Sequence, residues 1–333
     1  MSGSRRVILL IGVLAAAAAL LALIYCLGRR YETRGYREER QQMSEDFGRL
    51  PTVTYNGKTY VRRPEVTTML FIGVDQRAEE ETTGYRSGGQ SDFMLLLALD
   101  HHKREIRQLQ VERDSITDVP VVGVLGNDVG TRRMQICLSH AYGGSEQERC
   151  MHTVQALANL LCGEKAQHCL SIRLDAIGVL NDRLGGVTVT VPEDYSDLDP
   201  AMTQGAVLRL NARQAELLVR ERMTVADGTN ASRMLRQRAF MSAAIDRVRV
   251  RLREDSDFAG TLFDMLDEIS DYTDLQRGQM INELNQVYRY DVLPVDTLAG
   301  EYKLGFDGFM EYHVDGESAA AWVLQTLYEP SKE

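Results

Sequence analysis

The fold is predicted by two short apolar runs, TTMLFIGV at residues 67–74 and DFMLLLALD at residues 92–100. Runs of this length with almost no polar interruption are typical of strands buried on both faces of a sheet. EIRQLQVE at residues 105–112 alternates more strictly and predicts a third strand. Apolar residues at helical spacing follow at 150–161 and 174–184. This succession of strands and helices predicts a layered α/β fold.

Polar residues in front of two later apolar stretches predict where helices begin. Asn211 precedes ARQAELLVRER, and its side chain can accept a hydrogen bond from the first turn of that helix. Ser232 is predicted to cap a long helix that runs to about Arg253. No linker rich in Pro, Gly or Ser divides the later part of the chain, which predicts a single domain over residues 66–330.

The N-terminal part of the chain predicts a membrane anchor. Residues 7–28 read VILLIGVLAAAAALLALIYCLG and contain no charged residue. A helix of this length crosses the roughly 30 Å hydrocarbon core of a bilayer, so residues 1–30 are predicted to form a short tip and a transmembrane anchor. A cleaved signal peptide is the alternative. Residues 31–65 are predicted to form a stalk or linker, with a hairpin around the turn Asn56-Gly57.

Charge excludes one class of partner. The 333-residue chain carries 48 acidic and 38 basic residues, a formal net charge of −10. An acidic domain repels a phosphate backbone, so nucleic acid is not an expected partner. A phosphorylated ligand must therefore meet a local cluster of arginines. Arginines also flank the apolar segment on both sides, so the positive-inside rule leaves its orientation open.

Five cysteines leave the redox state of the chain open. Cys26 lies in the apolar segment, and no CxxC spacing favours a zinc site. The other four permit two disulfides in three pairings, or remain free thiols. The loop between Cys162 and Cys169 is short enough for a disulfide to close it. The four are Cys137, Cys150, Cys162 and Cys169.

Two carboxylates border the first two predicted strands. Asp75 directly follows one apolar run, and Asp92 directly precedes the next. If these strands are antiparallel neighbours, both carboxylates reach the same edge of the sheet. Oxygen ligands of this kind suit Mg²⁺ or Mn²⁺. The alternative is that each aspartate only caps a strand or turn.

Basic residues follow the third predicted strand and two of the predicted helices. Arg113 and Asp114 come after the third strand, where an arginine can hold phosphate bidentately and an aspartate can accept a proton. The alternative is a weak surface ion pair. Arg220 and Arg222 stand where a helix is predicted to end. Three further residues share one face of a helix at positions i, i+3 and i+4, which favours either a phosphate site or a solvated basic face. They are Arg233, Arg236 and Gln237.

The order of these motifs resembles that of the LytR-CpsA-Psr family over roughly residues 68–245. Seven motifs carry the resemblance: FIGVD, QSDFMLLLALD, VERDS, AYGG, LNDRLGGVTVTVPED, LNARQAELLVRER and SRMLRQRAF. The resemblance implies an α-β-α sandwich, with a central mixed sheet flanked by helices and an apolar groove for a polyprenyl tail. It also implies a single-pass protein of the bacterial cell membrane, with a cytoplasmic N-terminus and an extracellular catalytic domain.

The resemblance further implies a phosphotransferase of cell-wall assembly. Such an enzyme moves a glycopolymer, for example wall teichoic acid or capsular polysaccharide, from undecaprenyl pyrophosphate to peptidoglycan and leaves a phosphodiester link. Catalysis would fall to Arg113, Asp114 and Asp92, and Mg²⁺ or Mn²⁺ would bind Asp75 and Asp92. The pyrophosphate would meet Arg86, Gln90, Arg113, Arg220, Arg222, Arg233, Arg236 and Gln237.

Two positions depart from the family pattern. The family usually has arginine immediately before Ser-Asp, where this chain has Gln90, and Arg86 is the nearest substitute. The acidic and glycine residues usual before the SRMLRQ helix are Asn230 and Ala231 here. Two other functions therefore stay open, a hydrolase of polyprenyl pyrophosphates and a regulator that binds lipid phosphates without catalysis.

Overall fold

A computed structural model describes residues 51–76, 84–173, 176–221 and 229–331. The chain divides into two compact units. One runs to Pro64 and includes the chain from Pro330 onward, and the other is Glu65–Glu329. The predicted anchor at 7–28, the stalk at 31–50 and Arg222 lie outside the described residues. Within the described ranges, no helix has both the length and the apolar character needed to cross a bilayer.

The first unit contains the predicted hairpin. Strands β1 (Thr52–Tyr55) and β2 (Lys58–Arg62) pair antiparallel. Asn56 and Gly57 join them with φ values of 48° and 73°. Both values lie in the left-handed region, which the type I′ turn of a tight hairpin requires and which Asn-Gly tolerates. The hairpin prediction is confirmed.

The second unit is built on a six-stranded mixed sheet, in the order β11 (Ser270–Thr273), β8 (His168–Arg173), β3 (Val66–Asp75), β4 (Gln90–Asp100), β5 (Glu105–Gln110) and β12 (Asp291–Asp296). Neighbouring strands are antiparallel except for the pairs β3–β8 and β5–β12, so the predicted mixed sheet is confirmed. The strands of this unit are β3 (Val66–Asp75), β4 (Gln90–Asp100), β5 (Glu105–Gln110), β6 (Ile116–Val122), β7 (Asp128–Gln135), β8 (His168–Arg173), β9 (Thr188–Thr190), β10 (Val207–Arg209), β11 (Ser270–Thr273), β12 (Asp291–Asp296), β13 (Gly300–Leu304), β14 (Met310–Val314) and β15 (Tyr328–Pro330), whose last residue belongs to the first unit.

Helices pack against the sheet because alternate strand residues are apolar on each face. Phe93 and Leu95 of β4 belong to the main core together with residues of α2 to α6, whereas Met94 and Leu96 are buried outside that cluster. A short 3₁₀ helix (Ile136–Ala141) contacts β4, and α1 contacts β8. The helices are α1 (Glu146–Leu160), α2 (Ala176–Arg183), α3 (Ala212–Arg220), α4 (Asn230–Glu254), α5 (Phe258–Ile269), α6 (Arg277–Val287) and α7 (Gly316–Leu327).

One of the two predicted helix caps is confirmed and the other is wrong. Asn211 caps α3, with Gln214 completing a reciprocal capping box. Ser232 does not cap α4, because the Thr229 side chain accepts from the Ser232 amide at 3.2 Å and the helix begins at Asn230. The Ser232 hydroxyl instead donates to Glu193 at 2.6 Å. Because Ser232 lies inside the first turn and does not cap it, its side chain is available for the contact with Glu193.

The cysteines of the described residues are free thiols. Cys162 is exposed after α1, with a positive φ of 57°, whereas Cys169 is buried in β8. Of the two alternatives left open by the sequence, the structure shows free thiols, and no disulfide closes the loop between Cys162 and Cys169. Cys137 and Cys150 are buried as well.

Candidate phosphate-binding site

Asp92 occupies a β-bulge between the first two strands of the sheet. β3 and β4 pair antiparallel, which is the arrangement that brings Asp75 and Asp92 to the same edge of the sheet. Gly73 lies opposite Phe93 and Val74 lies opposite Ser91. Asp92 is thus the extra residue between these two pairs. A bulge re-aims the side chain of its extra residue, and bulges are enriched next to active sites.

The carboxylate of Asp92 lies between two guanidinium groups. Its side chain is only 3% exposed. Arg233 Nη1 donates to Oδ2 at 2.8 Å, and Arg113 Nη1 donates to Oδ1. Buried charges need such partners, because removing an unpaired ion from water costs on the order of several kcal/mol. Asp92 therefore fixes the positions of two arginines, Arg113 from the segment between β5 and β6 and Arg233 from α4.

Arg113 is held from four sides. Besides Asp92, it donates from Nη2 to Gln90 Oε1 and to Cys137 Sγ at 3.2 Å, and its Nε lies 3.3 Å from Asp114 Oδ1. Burial opposes its charge, but Cys137 and the two aspartates outweigh burial and raise the pKa of Arg113. The guanidinium therefore stays charged in a largely buried position.

Exposure increases from the floor of this cluster to its rim. At the floor, the side chain of Arg233 is 7% exposed, and that of Arg113 is 14% exposed. At the rim, Arg220 Nη2 lies 3.3 Å from Asp75 Oδ1, with side chains 26% and 48% exposed. An anion would therefore reach the cluster from the side of Arg220 and Asp75. We call the three arginines Arg113, Arg220 and Arg233, together with Asp75, Asp92 and Asp114, the Asp92 cluster.

Arg236 belongs to a separate buried network. Its side chain is fully buried and donates to Glu193, to Ser232 Oγ at 2.7 Å and to the Glu221 carbonyl. Gln237 is 1% exposed and lies beside Gln110. The predicted face of α4 thus points inward, so a solvated basic face is excluded. Arg236 ties the start of α4 to the end of α3 rather than joining the Asp92 cluster.

Three residues of the site were missed by the sequence reasoning. Asn230 Oδ1 accepts from Arg233 Nη2 at 2.7 Å, and Asn230 Nδ2 donates to Glu112. The Tyr302 hydroxyl donates to the other oxygen of Glu112 at 2.7 Å. Burial raises the pKa of Glu112 above its ordinary value. Two of these residues could have been found from the sequence, since Glu112 adjoins Arg113 and Asn230 departs from the family pattern. No sequence feature pointed to Tyr302.

Of the remaining predicted phosphate contacts, Gln90 touches the Asp92 cluster, Arg86 binds elsewhere, and Arg222 lies outside the residues that the structure describes. Arg86 is exposed, and its Nε donates to the Val122 carbonyl at 2.8 Å. Gln90 itself is exposed and accepts a hydrogen bond from Arg113, which an arginine at this position cannot do. Arg222 lies in the segment 222–228, outside the described residues.

A small apolar cavity lies between the sheet and the helices. Its volume is about 10 Å³, which is room for about one water. Gln237 also lines it. The apolar side chains around it include Phe71, Phe93, Ile177, Val219 and Phe240. A cavity of this size cannot hold a polyprenyl tail.

The overall fold matches solved structures of low sequence identity. One is TagV from B. subtilis, with a TM-score of 0.59 at 19% identity, covering 80% of this chain and 98% of that chain. Another is TagT bound to LI-WTA, with a TM-score of 0.60 at 18% identity, covering 79% of this chain and 91% of that chain. At these identities the likeness establishes the fold alone.

Sequence comparison establishes the family. The chain is 27% identical over 227 residues to the polyisoprenyl-teichoic acid–peptidoglycan teichoic acid transferase TagU of Halalkalibacterium halodurans, a match that covers 67% of this chain and 65% of TagU. Matches to two other curated relatives span 29% and 43% of their lengths. The family model LytR_cpsA_psr matches residues 32–322. The chain belongs to the LytR_cpsA_psr family.

Proposed function

We propose that this protein transfers a glycopolymer from a polyprenyl-pyrophosphate carrier to peptidoglycan and forms a phosphodiester link. The observation that carries the proposal is the Asp92 cluster, in which Arg113 and Arg233 share Asp92. The Arg220–Asp75 pair lies beside them, since Asp75 is opposite Gln90 in the sheet and Gln90 accepts from Arg113. Family membership supports the same reaction, since TagU is named for teichoic acid transfer to peptidoglycan. An undecaprenyl carrier is the donor that we expect.

The chemistry of the proposed reaction needs positioning and neutralisation of charge. An acceptor hydroxyl oxygen attacks the phosphorus on the polymer side of the pyrophosphate. The bond from that phosphorus to the bridging oxygen breaks, and polyprenyl monophosphate leaves. Arg220 at the rim and Arg113 behind it are placed to stabilise the charge on the phosphate oxygens. Bidentate guanidinium contacts suit this task.

The proton of the acceptor hydroxyl needs a base, and Asp114 fits this role better than Asp92. Both oxygens of Asp92 accept from guanidinium groups, and its side chain is 3% exposed. The side chain of Asp114 is 15% exposed. We therefore assign Asp92 to holding Arg113 and Arg233 in place, and Asp114 to accepting the proton.

A divalent cation fits the charge of the Asp92 cluster. The cluster has three arginines and three aspartates, so its formal charge is three minus three, or zero. A neutral cluster attracts a pyrophosphate only weakly. Mg²⁺ is commonly held by one or two carboxylates together with substrate phosphates. Asp75, half-exposed at the rim, would hold such an ion with Asp92, and the ion would supply the positive charge that the cluster lacks.

The ion would have to share Asp92 with two arginines. Among the described residues, no group of three or more His, Cys, Asp or Glu side chains is arranged to hold a metal on its own. We therefore expect metal binding to depend on the phosphorylated donor.

The small apolar cavity would have to widen to admit a polyprenyl tail, by movement of α2 to α4 away from the sheet.

The proposal includes a membrane setting. Residues 7–28 would anchor the chain, and the Glu65–Glu329 unit would lie outside the cell, beside both substrates. A tether of this kind raises the effective concentration of a lipid-linked donor. Protease treatment of intact protoplasts tests the orientation, and a unit protected from protease would contradict it.

Transfer itself is tested with the full-length chain, a lipid-linked glycopolymer, peptidoglycan and Mg²⁺. We expect polymer to become covalently attached to peptidoglycan with release of polyprenyl monophosphate, and Arg113→Ala to abolish the reaction. Arg107→Ala is the matched control, because Arg107 is on the preceding strand and is ion-paired with Asp296 at 3.1 Å. Release of monophosphate without attachment would favour a hydrolase, and donor binding without turnover would favour a regulator.

A further inference from the structure

The turn of the hairpin β13–β14 exposes large apolar side chains to solvent. Phe306 is fully exposed, and Leu304, Phe309 and Met310 are 72%, 66% and 46% exposed. We call these four residues the apolar turn. Single exposed apolar residues are ordinary on a protein surface, but a group of them at one place marks a site of interaction.

Backbone hydrogen bonds fix the shape of the apolar turn. The Gly305 amide donates to the Phe309 carbonyl at 2.7 Å, and the Gly308 amide donates to the Gly305 carbonyl at 3.1 Å. Asp307 Oδ1 accepts from the Phe309 amide at 3.1 Å. An unpaired amide is costly outside water, so these pairs make it easier for the turn to enter an apolar environment.

The charges of the hairpin do not select a charged partner. Every charged side chain of residues 301–313 has a partner within the hairpin, so no charge is left over for a ligand. Lys303 Nζ lies 3.4 Å from Glu301 Oε2, His313 Nε2 lies 2.8 Å from Glu311 Oε2, and Asp307 binds the turn.

The size of the apolar turn favours a bilayer over a protein as the partner. A standard protein interface takes roughly 20–30 residues a side, and four side chains fall far short of that. A bilayer needs no matching surface and receives apolar side chains to a depth of about 5–10 Å. The sequence also predicts a bilayer within reach, because residues 29–65, which follow the apolar segment 7–28, span at most roughly 130 Å when fully extended.

The apolar turn lies next to the Asp92 cluster. Gln135 Nε2 donates both to the Met310 carbonyl at 2.6 Å and to Asp114 Oδ1 at 3.2 Å. The Tyr312 amide donates to the Asp114 carbonyl at 2.8 Å. Because one nitrogen atom joins Met310 to Asp114, a surface that receives the apolar turn also comes close to the cluster.

A second exposed hairpin turn extends the other way. It connects β6 to β7, and its Leu125 is 82% exposed. β6 and β14 run parallel where Ser115 pairs with Tyr312. From that point β14 leads away from the apolar turn, whereas β6 leads toward Leu125, so the two turns extend in opposite directions. A bilayer that receives the apolar turn therefore leaves Leu125 in water.

We propose that the apolar turn inserts into the lipid–water interface of a phospholipid bilayer and holds the Asp92 cluster at the level of the headgroups. The hairpin rises about 7 Å from the pair Tyr302–Tyr312 to the pair Leu304–Met310, at about 3.3 Å per residue. That rise is comparable with the depth of the interface. Contact with the bilayer does not depend on the proposed function, but its use in presenting a lipid-linked pyrophosphate to the cluster rests on that function.

Tryptophan fluorescence of the full-length chain in phosphatidylcholine vesicles tests the proposal. Phe306→Trp places an indole on the apolar turn, and Leu125→Trp is the matched control on the other turn. Trp322, the one tryptophan of the chain, is buried and gives the same background in both variants. We expect lipids with brominated acyl chains to quench the indole of Phe306→Trp and the bilayer to shift its emission to shorter wavelength. Leu125→Trp should show neither effect.

Each outcome decides for or against the apolar turn. An unquenched Phe306→Trp overturns the proposal, and equal quenching of Leu125→Trp does so too, because the whole unit would then lie on the bilayer without a preferred face. A shift without quenching indicates a protein partner or a second copy of the chain and also overturns it. Quenching in a chain that transfers no polymer supports the apolar turn and overturns the proposed function, whereas transfer without quenching does the reverse.

Discussion

Replacing Asp92 by asparagine is expected to destabilise the protein strongly, apart from any effect on catalysis. Asp92 is the one carboxylate placed between Arg113 and Arg233 in the described part of the Asp92 cluster, and its side chain is 3% exposed. Asparagine keeps the shape but removes the charge. It also turns an amide NH₂ toward one guanidinium, where a donor faces a donor. Two largely buried cations then lose their common partner.

The magnitude follows from burial. Removing one partner of a buried ion pair costs about 3–5 kcal/mol, because a charge is left uncompensated. For a domain of this size, a loss of 1 kcal/mol lowers the melting temperature by roughly 2–4 °C. Asp92→Asn is therefore expected to lower the melting temperature by roughly 6–20 °C, from the product of these two ranges.

Asp75→Asn is the matched control for this experiment. It makes the same change at the other predicted metal ligand, but Asp75 is 48% exposed and pairs with Arg220 at 3.3 Å. Exposed pairs of this kind contribute about 0–1 kcal/mol, so its melting temperature should hardly change. If Asp92 acted only as a metal ligand, both variants would lose activity with little change in stability. A loss below about 1 kcal/mol for Asp92→Asn in chemical denaturation would refute the ion-pair argument.

Three further predictions concern the groups around this ion pair. Burial raises the pKa of Glu112 in the folded state above its ordinary value, so the stability that this group contributes at low pH is lost as pH rises through the raised pKa; Glu112→Gln should flatten the fall of the denaturation midpoint as pH rises above the ordinary glutamate pKa of about 4.3, and an unchanged slope would contradict this. Asp114→Asn should lower kcat for transfer while leaving donor binding intact, and retained kcat would exclude Asp114 as the base. The double variant Gln90→Arg/Asn230→Asp should lose less stability than the sum of its single variants, because it adds one positive and one negative charge together, and strictly additive losses would count against this coupling.

The sequence predicted the fold wherever apolar periodicity was strong. The runs at 67–74 and 92–100 became β3 and β4, and the helix that follows Asn211 begins as predicted and ends at Arg220. β7 was missed because it reads DVGTRRMQ and is mostly exposed, so no apolar pattern marks it. This segment forms a strand because it pairs antiparallel with β6, and its own residue pattern does not show that pairing.

Several of the predicted site residues lie close together in the structure, but their contacts were not predicted. Arg233 and Asp92 are 141 positions apart in the sequence, and their hydrogen bond depends on how α4 lies across the end of β4. Sequence reasoning treated Asp92 as a metal ligand and Arg236 as a phosphate contact. In the structure both oxygens of Asp92 accept from arginines, and Arg236 is buried against Glu193. Such pairings depend on long-range geometry, which residue type and spacing do not encode.

The two departures from the family pattern compensate each other in charge. Arginine usually precedes Ser-Asp in the family, and an acidic residue usually precedes the SRMLRQ helix, so Gln90 and Asn230 remove one charge of each sign. Both amides contact the same ion pair, since Gln90 accepts from Arg113 and Asn230 accepts from Arg233. An amide can both donate and accept, and Asn230 uses this to join Arg233 to Glu112, which an ionised aspartate could not do. The formal charge around the ion pair is therefore kept while its hydrogen bonds change, and this change joins Arg233 to Glu112 through Asn230.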